Sequence, residues 1–168
     1  MPRLLLLRHA KAERAQPGER DHERALTTDG RKDSKTIGKR IAKDGGPIDL
    51  VLSSTSRRTR ETWDAAAAAL GGDPEVRFLP SLFDAGDSYL PVLRAEGSEA
   101  EAILVIGHNP AMHETALELA EGLGGRDGAR LSKGFPKAAV AIFDFDGEWR
   151  SLQPATMRLT AFLEADGD

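Results

Sequence analysis

The sequence predicts an α/β fold, a three-layer sandwich whose central sheet is mainly parallel with an antiparallel edge and carries helices on both faces. Short apolar runs of strand length recur along the chain, and longer stretches with helical periodicity separate them. An Asp-Gly pair follows the last of these runs, as in a tight hairpin turn. Strands that alternate with helices form parallel sheets covered on both faces, and a hairpin adds an antiparallel edge.

The chain is expected to form a single domain over residues 1–168. Its 168 residues are enough to bury a sizeable core, and its 30% charged and 40% hydrophobic residues are the balance of a globular protein. It contains no internal repeat and no linker that would divide it into two domains. The only low-complexity tract is the alanine run at residues 65–69.

Four apolar runs have the length of buried strands: Leu4–Leu7, Leu50–Leu52, Ile103–Ile106 and Ala139–Phe143. A fifth strand is expected at Trp149–Leu152. The pair Asp146-Gly147 lies between it and the preceding run and favours a two-residue hairpin turn. The last strands are therefore expected to be antiparallel.

Helical periodicity occupies the stretches between these runs. The expected helices cover Thr28–Lys43, Arg57–Leu70, Ser88–Ala95 and Pro110–Gly122. Thr28 is a suitable cap for the first helix, and glycines follow the first two helices as stop signals. Proline is a favoured residue at the start of the last one.

Composition excludes several classes of function. A formal net charge of −4 argues against a nucleic-acid partner, which selects a basic face. The chain has no cysteine, which rules out disulfides and thiolate chemistry and suits a reducing cytoplasm. No apolar stretch approaches the ~20 residues of a membrane span, so we expect a soluble, cytoplasmic protein without a membrane partner.

Charged and titratable side chains follow three of the predicted strands. Arg8 and His9 come directly after the first strand, Arg58 follows the second, and His108 and Asn109 follow the third. Ligands bind outside the carboxyl ends of strands in parallel sheets, so these side chains are expected to meet. The arginines after the second strand lie in the first helical turn, where the helix dipole disfavours cations, so a purely solvated face explains them poorly.

This set of residue types suits phosphate chemistry. Guanidinium groups bind phosphoryl oxygens in a bidentate manner, and a neutral imidazole can carry a phosphoryl group as a covalent intermediate. Two arginines and a second, protonated histidine could stabilise the transferred group without a metal or a cofactor. His108 and His113 lack the spacing of a zinc-binding helix, so no catalytic metal is expected.

Three motifs, in order, resemble the histidine phosphatase superfamily, whose fold is phosphoglycerate mutase-like, and in particular its SixA-like phosphohistidine phosphatases. They are Leu-Leu-Arg-His-Ala at residues 6–10, Ser54-x-x-x-Arg58-x-x-x-Thr62, and Gly-His-Asn-Pro at residues 107–110. Residues 21–27 and 82–85 continue the likeness. The resemblance therefore covers most of the chain.

The resemblance implies that His9 is the nucleophile that becomes phosphorylated. Arg8 and Arg58 would bind the phosphoryl oxygens, and His108 would complete the pocket. Arg58 is preferred to Arg57 because it stands four residues after Ser54 and four before Thr62. We also count Asn109 and Arg24 as substrate-binding residues. His22 and His113 are expected to lie outside the chemistry, His22 as a solvated loop residue.

The proton donor and the substrate are less well defined. Asp84, or else Asp87, is the candidate acid, and neither lies in a strong acid motif. An alkoxide leaving group gains roughly 10²–10⁴-fold from a general acid, whereas the imidazole of phosphohistidine needs less help. Phosphohistidine on a partner protein is thus the expected substrate. A small-molecule phosphomonoesterase and a non-catalytic phosphate-binding module are the alternatives.

Overall fold

A single six-stranded sheet forms the centre of the molecule. The computed structural model describes residues 1–166. Its strands are β1 (Arg3–Arg8), β2 (Leu50–Ser54), β3 (Glu75–Leu79), β4 (Ala102–Gly107), β5 (Val140–Asp144) and β6 (Arg158–Leu163). They lie in the order β3-β2-β4-β1-β5-β6.

The strand directions confirm the predicted sheet. β1, β2, β3 and β4 are parallel, β5 is antiparallel to β1, and β6 is antiparallel to β5. In β1, Leu4 pairs with Ile103 on one side and with Phe143 on the other. The first predicted strand is thus a central strand of a mainly parallel sheet with an antiparallel edge.

Helices cover both faces of this sheet. The helices are α1 (Thr28–Asp44), α2 (Arg57–Leu70), α3 (Pro80–Phe83), α4 (Leu90–Glu96), α5 (Ala111–Leu119) and α6 (Gly125–Lys133). Short 3₁₀ turns lie at Asp21–Glu23 and Trp149–Ser151. In the part of the chain that the structure describes, no helix combines the length and apolar character needed to cross a bilayer.

The run of four leucines is explained by burial on both faces of β1. Leu5 and Leu7 pack in the core that α1 covers with Ile37 and Ile41. Leu4 and Leu6 point to the opposite face and pack in the core that α3 to α6 cover. Successive strand residues point to opposite faces, so a strand buried on both sides is apolar throughout rather than alternating.

The predicted strand at Trp149–Leu152 is wrong. This segment is a 3₁₀ turn in which Trp149 is buried and its indole Nε1 donates to the carbonyl of Ala100, at 2.7 Å. Gly97 lies against this indole, where an added Cβ would be 2.3 Å from it. Trp149 is therefore a buried core residue rather than part of a strand. The antiparallel partner of β5 is β6 instead.

The helix boundaries also differ in detail from the sequence expectation. Thr27 rather than Thr28 caps α1, since its hydroxyl accepts from the backbone N–H of Gly30 at 2.9 Å. The expected helix from Ser88 begins at Leu90 instead. Pro110 is the N-cap of α5, and that helix ends at Leu119 rather than Gly122.

Candidate active site

The carboxyl ends of β1, β2 and β4 bring the predicted site residues together. His9 follows β1, and its backbone N–H donates to the carbonyl of Gly107 at the end of β4, at 3.1 Å. The rings of His9 and His108 lie 5.2 Å apart between their centroids. Arg58, in the first turn of α2, reaches the ring of His108 at 3.3 Å.

His9 is held in one tautomer. Its Nδ1 lies 2.7 Å from the carbonyl oxygen of Ala10, which can only accept a hydrogen bond. Nδ1 therefore carries the proton, and Nε2 carries the free lone pair. Burial lowers the pKa of His9 to about 3, and the charges of Arg58 and Arg8 act in the same direction. The imidazole is accordingly neutral near pH 7.

One threonine of α2 connects the C-terminal end of β1 to this helix through hydrogen bonds. The buried hydroxyl of Thr62 accepts from the backbone N–H of Ala10, at 3.1 Å, and donates to the carbonyl of Arg58, at 2.7 Å. Because the same Ala10 accepts the hydrogen bond of His9, this hydroxyl ties the nucleophile candidate to the backbone that carries Arg58. The spacing Ser54-x-x-x-Arg58-x-x-x-Thr62 thus has a geometric basis.

Arg58 is the arginine of α2 that points into the site. Its side chain is 8% exposed, whereas that of Arg57 is 51% exposed and pairs with Glu61. Two of its terminal N–H groups donate to Asp21, one to the carbonyl at 2.9 Å and one to the carboxylate at 3.1 Å. This bidentate contact fixes the plane of the guanidinium group.

Two arginine nitrogens in this pocket lack a partner. Arg8 donates through Nη1 to the carbonyl of Phe135, at 2.9 Å, but its Nε has no acceptor. The Nε of Arg58 is also buried and has no acceptor. Among the described residues, these are the buried side-chain polar atoms without a hydrogen bond. An unpaired buried donor is costly, so both point to an anionic acceptor that binds here.

The contacts of His108 fit a neutral imidazole. An arginine can only donate, so Nδ1 of His108 accepts from Arg58, and its Nε2–H donates to the hydroxyl of Ser54 at 2.8 Å. Burial lowers the pKa of His108 to about 4, and the positive charge of Arg58 adds to the effect. Both effects favour the neutral ring near pH 7.

The two remaining predicted binding residues are occupied by contacts with the protein. Arg24 donates to the carbonyl of Glu13, at 2.8 Å, and to the carboxylate of Asp21, at 2.9 Å. Asn109 donates to the carbonyl of Phe135 and accepts from the backbone N–H of His113. These contacts place Arg24 behind Asp21 and give Asn109 a role in the loop after β4.

The structure gives no candidate acid a firm position at the site. Asp84 and Asp87 are exposed, and Asp84 follows the last residue of α3. Asp21 is closer to the reacting groups, because it binds Arg58. Hydrogen bonding to Arg24, reinforced by the charge of Arg58, lowers the pKa of Asp21, so its carboxylate is ionised and a poor proton donor.

Sequence reasoning did not single out several residues that shape the site. Asp21 orients Arg58, and the hydroxyl of Tyr89 accepts from the backbone N–H of His108 at 2.9 Å. Phe83 lies edge-on to His108, with 5.6 Å between centroids. His22, expected to be solvated, is partly buried and bonded to Thr55 at 2.8 Å. The available signal was the family resemblance of residues 21–27 and 82–85, which contain Asp21, His22 and Phe83.

The arrangement combines a neutral imidazole nucleophile with two buried guanidinium groups. Such a pocket can bind a phosphoryl group, accept it covalently at a ring nitrogen and stabilise the charge on its oxygens. Within residues 1–166, no three His, Cys, Asp or Glu side chains are grouped as metal ligands would be.

Comparisons with known proteins match both the N-terminal half and the whole fold. Residues 4–85 match the model of the histidine phosphatase superfamily, branch 1. An uncharacterized protein of Mycobacterium tuberculosis is 30% identical over 161 residues, covering 93% of this chain and 98% of that protein. The segment that matches the family model contains Arg8, His9 and Arg58.

Solved structures of similar proteins match the fold over nearly the whole chain. A SixA protein of Nakamurella multipartitia, inferred to be a phosphohistidine phosphatase, has a TM-score of 0.85 and 28% identity, covering 99% of this chain and 97% of that one. A SixA protein of Agrobacterium tumefaciens, with the same inferred activity, has a TM-score of 0.77 and 34% identity, covering 96% of each chain.

Proposed function

Because this chain belongs to branch 1 of the histidine phosphatase superfamily, we propose that it removes phosphate from phosphohistidine on a partner protein through a phosphorylated His9. The chain is a hydrolase of the phosphatase type. Beyond this family assignment we propose three features, namely the covalent intermediate, the protein-borne substrate and the independence from metal ions.

The observation that carries the proposal is the pair of unpaired arginine nitrogens. The Nε atoms of Arg8 and Arg58 are buried without an acceptor, beside a neutral imidazole whose Nε2 has a free lone pair. Phosphoryl oxygens are strong acceptors that match the fork of a guanidinium group. A phosphoryl group bound there would satisfy both donors and place its phosphorus within reach of a nucleophile.

The reaction then proceeds in two displacements at phosphorus. In the first, the lone pair of His9 Nε2 forms a bond to phosphorus, and the bond from phosphorus to the substrate imidazole breaks, its electron pair staying on the substrate nitrogen. In the second, water attacks phosphorus, the bond to His9 breaks, and its electrons return to Nε2. Inorganic phosphate leaves with the oxygen of the water, and the two protons of the water go to the phosphate and the solvent.

Charge stabilisation is assigned to the guanidinium groups and to His108. Arg8 and Arg58 keep their positive charge at any working pH, and they supply the attraction to the transferred group without a metal ion. A phosphoryl dianion near His108 raises the pKa of that imidazole, because opposite charges favour the protonated form. Substrate binding thus shifts His108 toward its protonated form.

The leaving group favours a phosphohistidine substrate over a phosphate ester. The imidazole of phosphohistidine leaves as a neutral molecule when its other ring nitrogen is protonated, so no acid from the enzyme is required. An alkoxide does require one, and general acid catalysis contributes roughly 10²–10⁴-fold. Asp21 is ionised by its contacts with Arg24 and Arg58, and Asp84 lies exposed after α3.

A substrate comparison tests the proposal. The value of kcat/KM is measured on a phosphohistidine peptide and on a panel of sugar and nucleotide phosphates, each with and without EDTA. We expect the peptide to be the best substrate by about 10-fold or more, with no loss of rate in EDTA. Higher efficiency on an ester, or a loss in EDTA that a divalent metal restores, would contradict the proposal.

The two neighbouring arginines of α2 provide a matched pair of variants for the same assay. Arg58→Ala removes a buried phosphate ligand, and we expect a loss of about 10²–10³-fold, as for other charge-stabilising donors. Arg57→Ala removes an exposed cation that pairs with Glu61, and we expect little change. Equal effects of the two substitutions would remove Arg58 from its proposed role.

A further inference from the structure

A groove of about 460 Å³ opens beside the active site. It is lined by Arg20, Asp21, His22, Glu23 and Phe83. Its inner end reaches the phosphate-binding residues, because Asp21 binds Arg58 and Phe83 contacts His108. The two-step reaction described above assigns no function to this groove.

Phe83 forms the aromatic wall of the groove. Its ring stands edge-on to His108, at 5.6 Å and 80°, and edge-on to His22, at 4.9 Å and 81°. The guanidinium carbon of Arg58 lies 6.0 Å from the centroid of the same ring. Phe83 is only half-buried, so part of the ring remains accessible from the groove.

His22 keeps this wall in place. One nitrogen of its ring contacts the carboxylate of Glu23 at 3.0 Å, and the other contacts the hydroxyl of Thr55 at 2.8 Å. With both nitrogens engaged, the ring cannot rotate without breaking a hydrogen bond, and it supports Phe83 from one side. A surface that is already ordered loses little conformational entropy when a ligand binds to it.

We propose that Phe83 binds the leaving group of the substrate, and that the groove accepts the imidazole ring of a phosphohistidine on a partner polypeptide. This inference rests on the proposed function. The imidazole is bonded directly to phosphorus and leaves on the side opposite His9, so its ring must lie close to the phosphate-binding residues that Phe83 contacts, Arg58 and His108. Aromatic rings attract each other in offset or edge-to-face contact at centroid distances of about 4.5–7 Å.

The outer part of the groove suits a polypeptide. Arg20 and Glu23 are exposed there and carry opposite charges, with 3.9 Å between them. Such groups can bind the carbonyl and N–H groups of a peptide backbone on either side of the phosphohistidine. A free phosphate ester would leave both of them in contact with solvent.

Equilibrium binding tests the assignment without any turnover. One ligand is a short peptide that carries a phosphonate on a triazole ring, a stable analogue of phosphohistidine, and the other is methylphosphonate, which has the same anion without a ring. The ratio of their Kd values is measured for the unaltered protein, for Phe83→Leu and for Phe78→Leu. Leucine keeps the apolar volume but lacks the aromatic face, and Phe78 is an exposed phenylalanine beside Arg60, outside the groove.

We expect the preference for the triazole peptide to fall about 3- to 10-fold in Phe83→Leu and to stay unchanged in Phe78→Leu. Binding of methylphosphonate reports whether the pocket of each variant is folded. An unchanged ratio in Phe83→Leu, or no preference in the unaltered protein, would overturn the assignment. A Phe83-dependent preference in a protein that hydrolyses no N–P bond would overturn the proposed function and support the groove assignment.

Discussion

At the scale of single residues, the chemistry of the site depends on which ring nitrogen of each histidine carries the proton. The carbonyl of Ala10 fixes the tautomer of His9, and the guanidinium of Arg58 fixes that of His108. Burial keeps both rings neutral, with pKa values lowered to about 3 and about 4. One ring is thereby available as a nucleophile, and the other can take up a proton when an anion arrives.

Proton uptake by His108 is a measurable consequence. We expect binding of sulfate, which stays a dianion, to raise the pKa of His108 by about 1–3 units and to take up as much as about one proton near pH 5. Calorimetric titration in buffers of different ionisation enthalpy measures this uptake. His108→Asn should remove it. Uptake that persists in this variant would assign the proton to another group.

At the scale of secondary-structure elements, α2 and β1 act together to build the site. The helix supplies Arg58 and also holds the strand tip, through the hydroxyl of Thr62 and the backbone N–H of Ala10. The packing of α1 against α2 is close, since a Cβ added at Gly38 would be 2.7 Å from the carbonyl oxygen of Ala66. The position of the nucleophile candidate therefore depends on how these elements pack.

Thr62→Val tests this connection. Valine has nearly the same shape, but it leaves the buried N–H of Ala10 without an acceptor, so we expect a loss of about 1–3 kcal/mol in the free energy of unfolding and a lower kcat. Urea denaturation and steady-state kinetics measure the two effects. Thr36→Val is the matched control, because its hydroxyl only contacts a carbonyl on the exposed face of α1. Similar losses in both variants would argue against the connection.

At the scale of the whole molecule, the residues that follow the strand ends could be predicted as site residues from the sequence. The contacts that other segments make with them could not. The alternation of apolar runs and helical stretches predicted the sheet, and the residues after three strands predicted His9, Arg58 and His108 as neighbours. The contacts of Asp21, His22 and Phe83 depend on how the 3₁₀ turn at Asp21–Glu23 and helix α3 return to the sheet edge. That return is set by tertiary packing, which a single sequence does not encode in any local pattern.

Two of the elements that the sequence did not predict, β3 and α6, have physical explanations. β3 is an edge strand whose sequence, Glu-Val-Arg-Phe-Leu, has charged residues at its first and third positions and no fully buried residue, so it lacks the apolar run of a central strand. α6 contains Gly125 and Gly128, which weaken the helical signal. Gly128 lies against the backbone of Leu123, where an added Cβ would be 2.3 Å away, so packing requires it.

The buried histidines also make the stability of the whole fold depend on pH. The unfolded chain binds protons at His9 and His108 near pH 6.5, whereas the folded protein binds them only near pH 3 and pH 4. Stability is therefore complete above about pH 6.5 and falls as the pH decreases below it, by up to about 1.4 kcal/mol per pH unit for each histidine.

Urea denaturation at pH 7 and at about pH 5 measures this dependence. The pH range lies above the usual pKa of carboxyl groups, so the histidines dominate the change. We expect the double variant His9→Gln, His108→Gln to lose less stability over this range than the unaltered protein. An equal loss in both proteins would contradict the assignment of the dependence to these two residues.

The most direct test of the account is to trap the phosphorylated protein. The protein is mixed with a phosphohistidine peptide labelled in its phosphate, quenched rapidly without acid, and digested for mapping of the label. We predict label on His9, none in His9→Ala, and label on His9 again in His113→Asn, whose histidine instead contacts the carbonyl of Leu131. Label on another residue, or full turnover by His9→Ala, would contradict it.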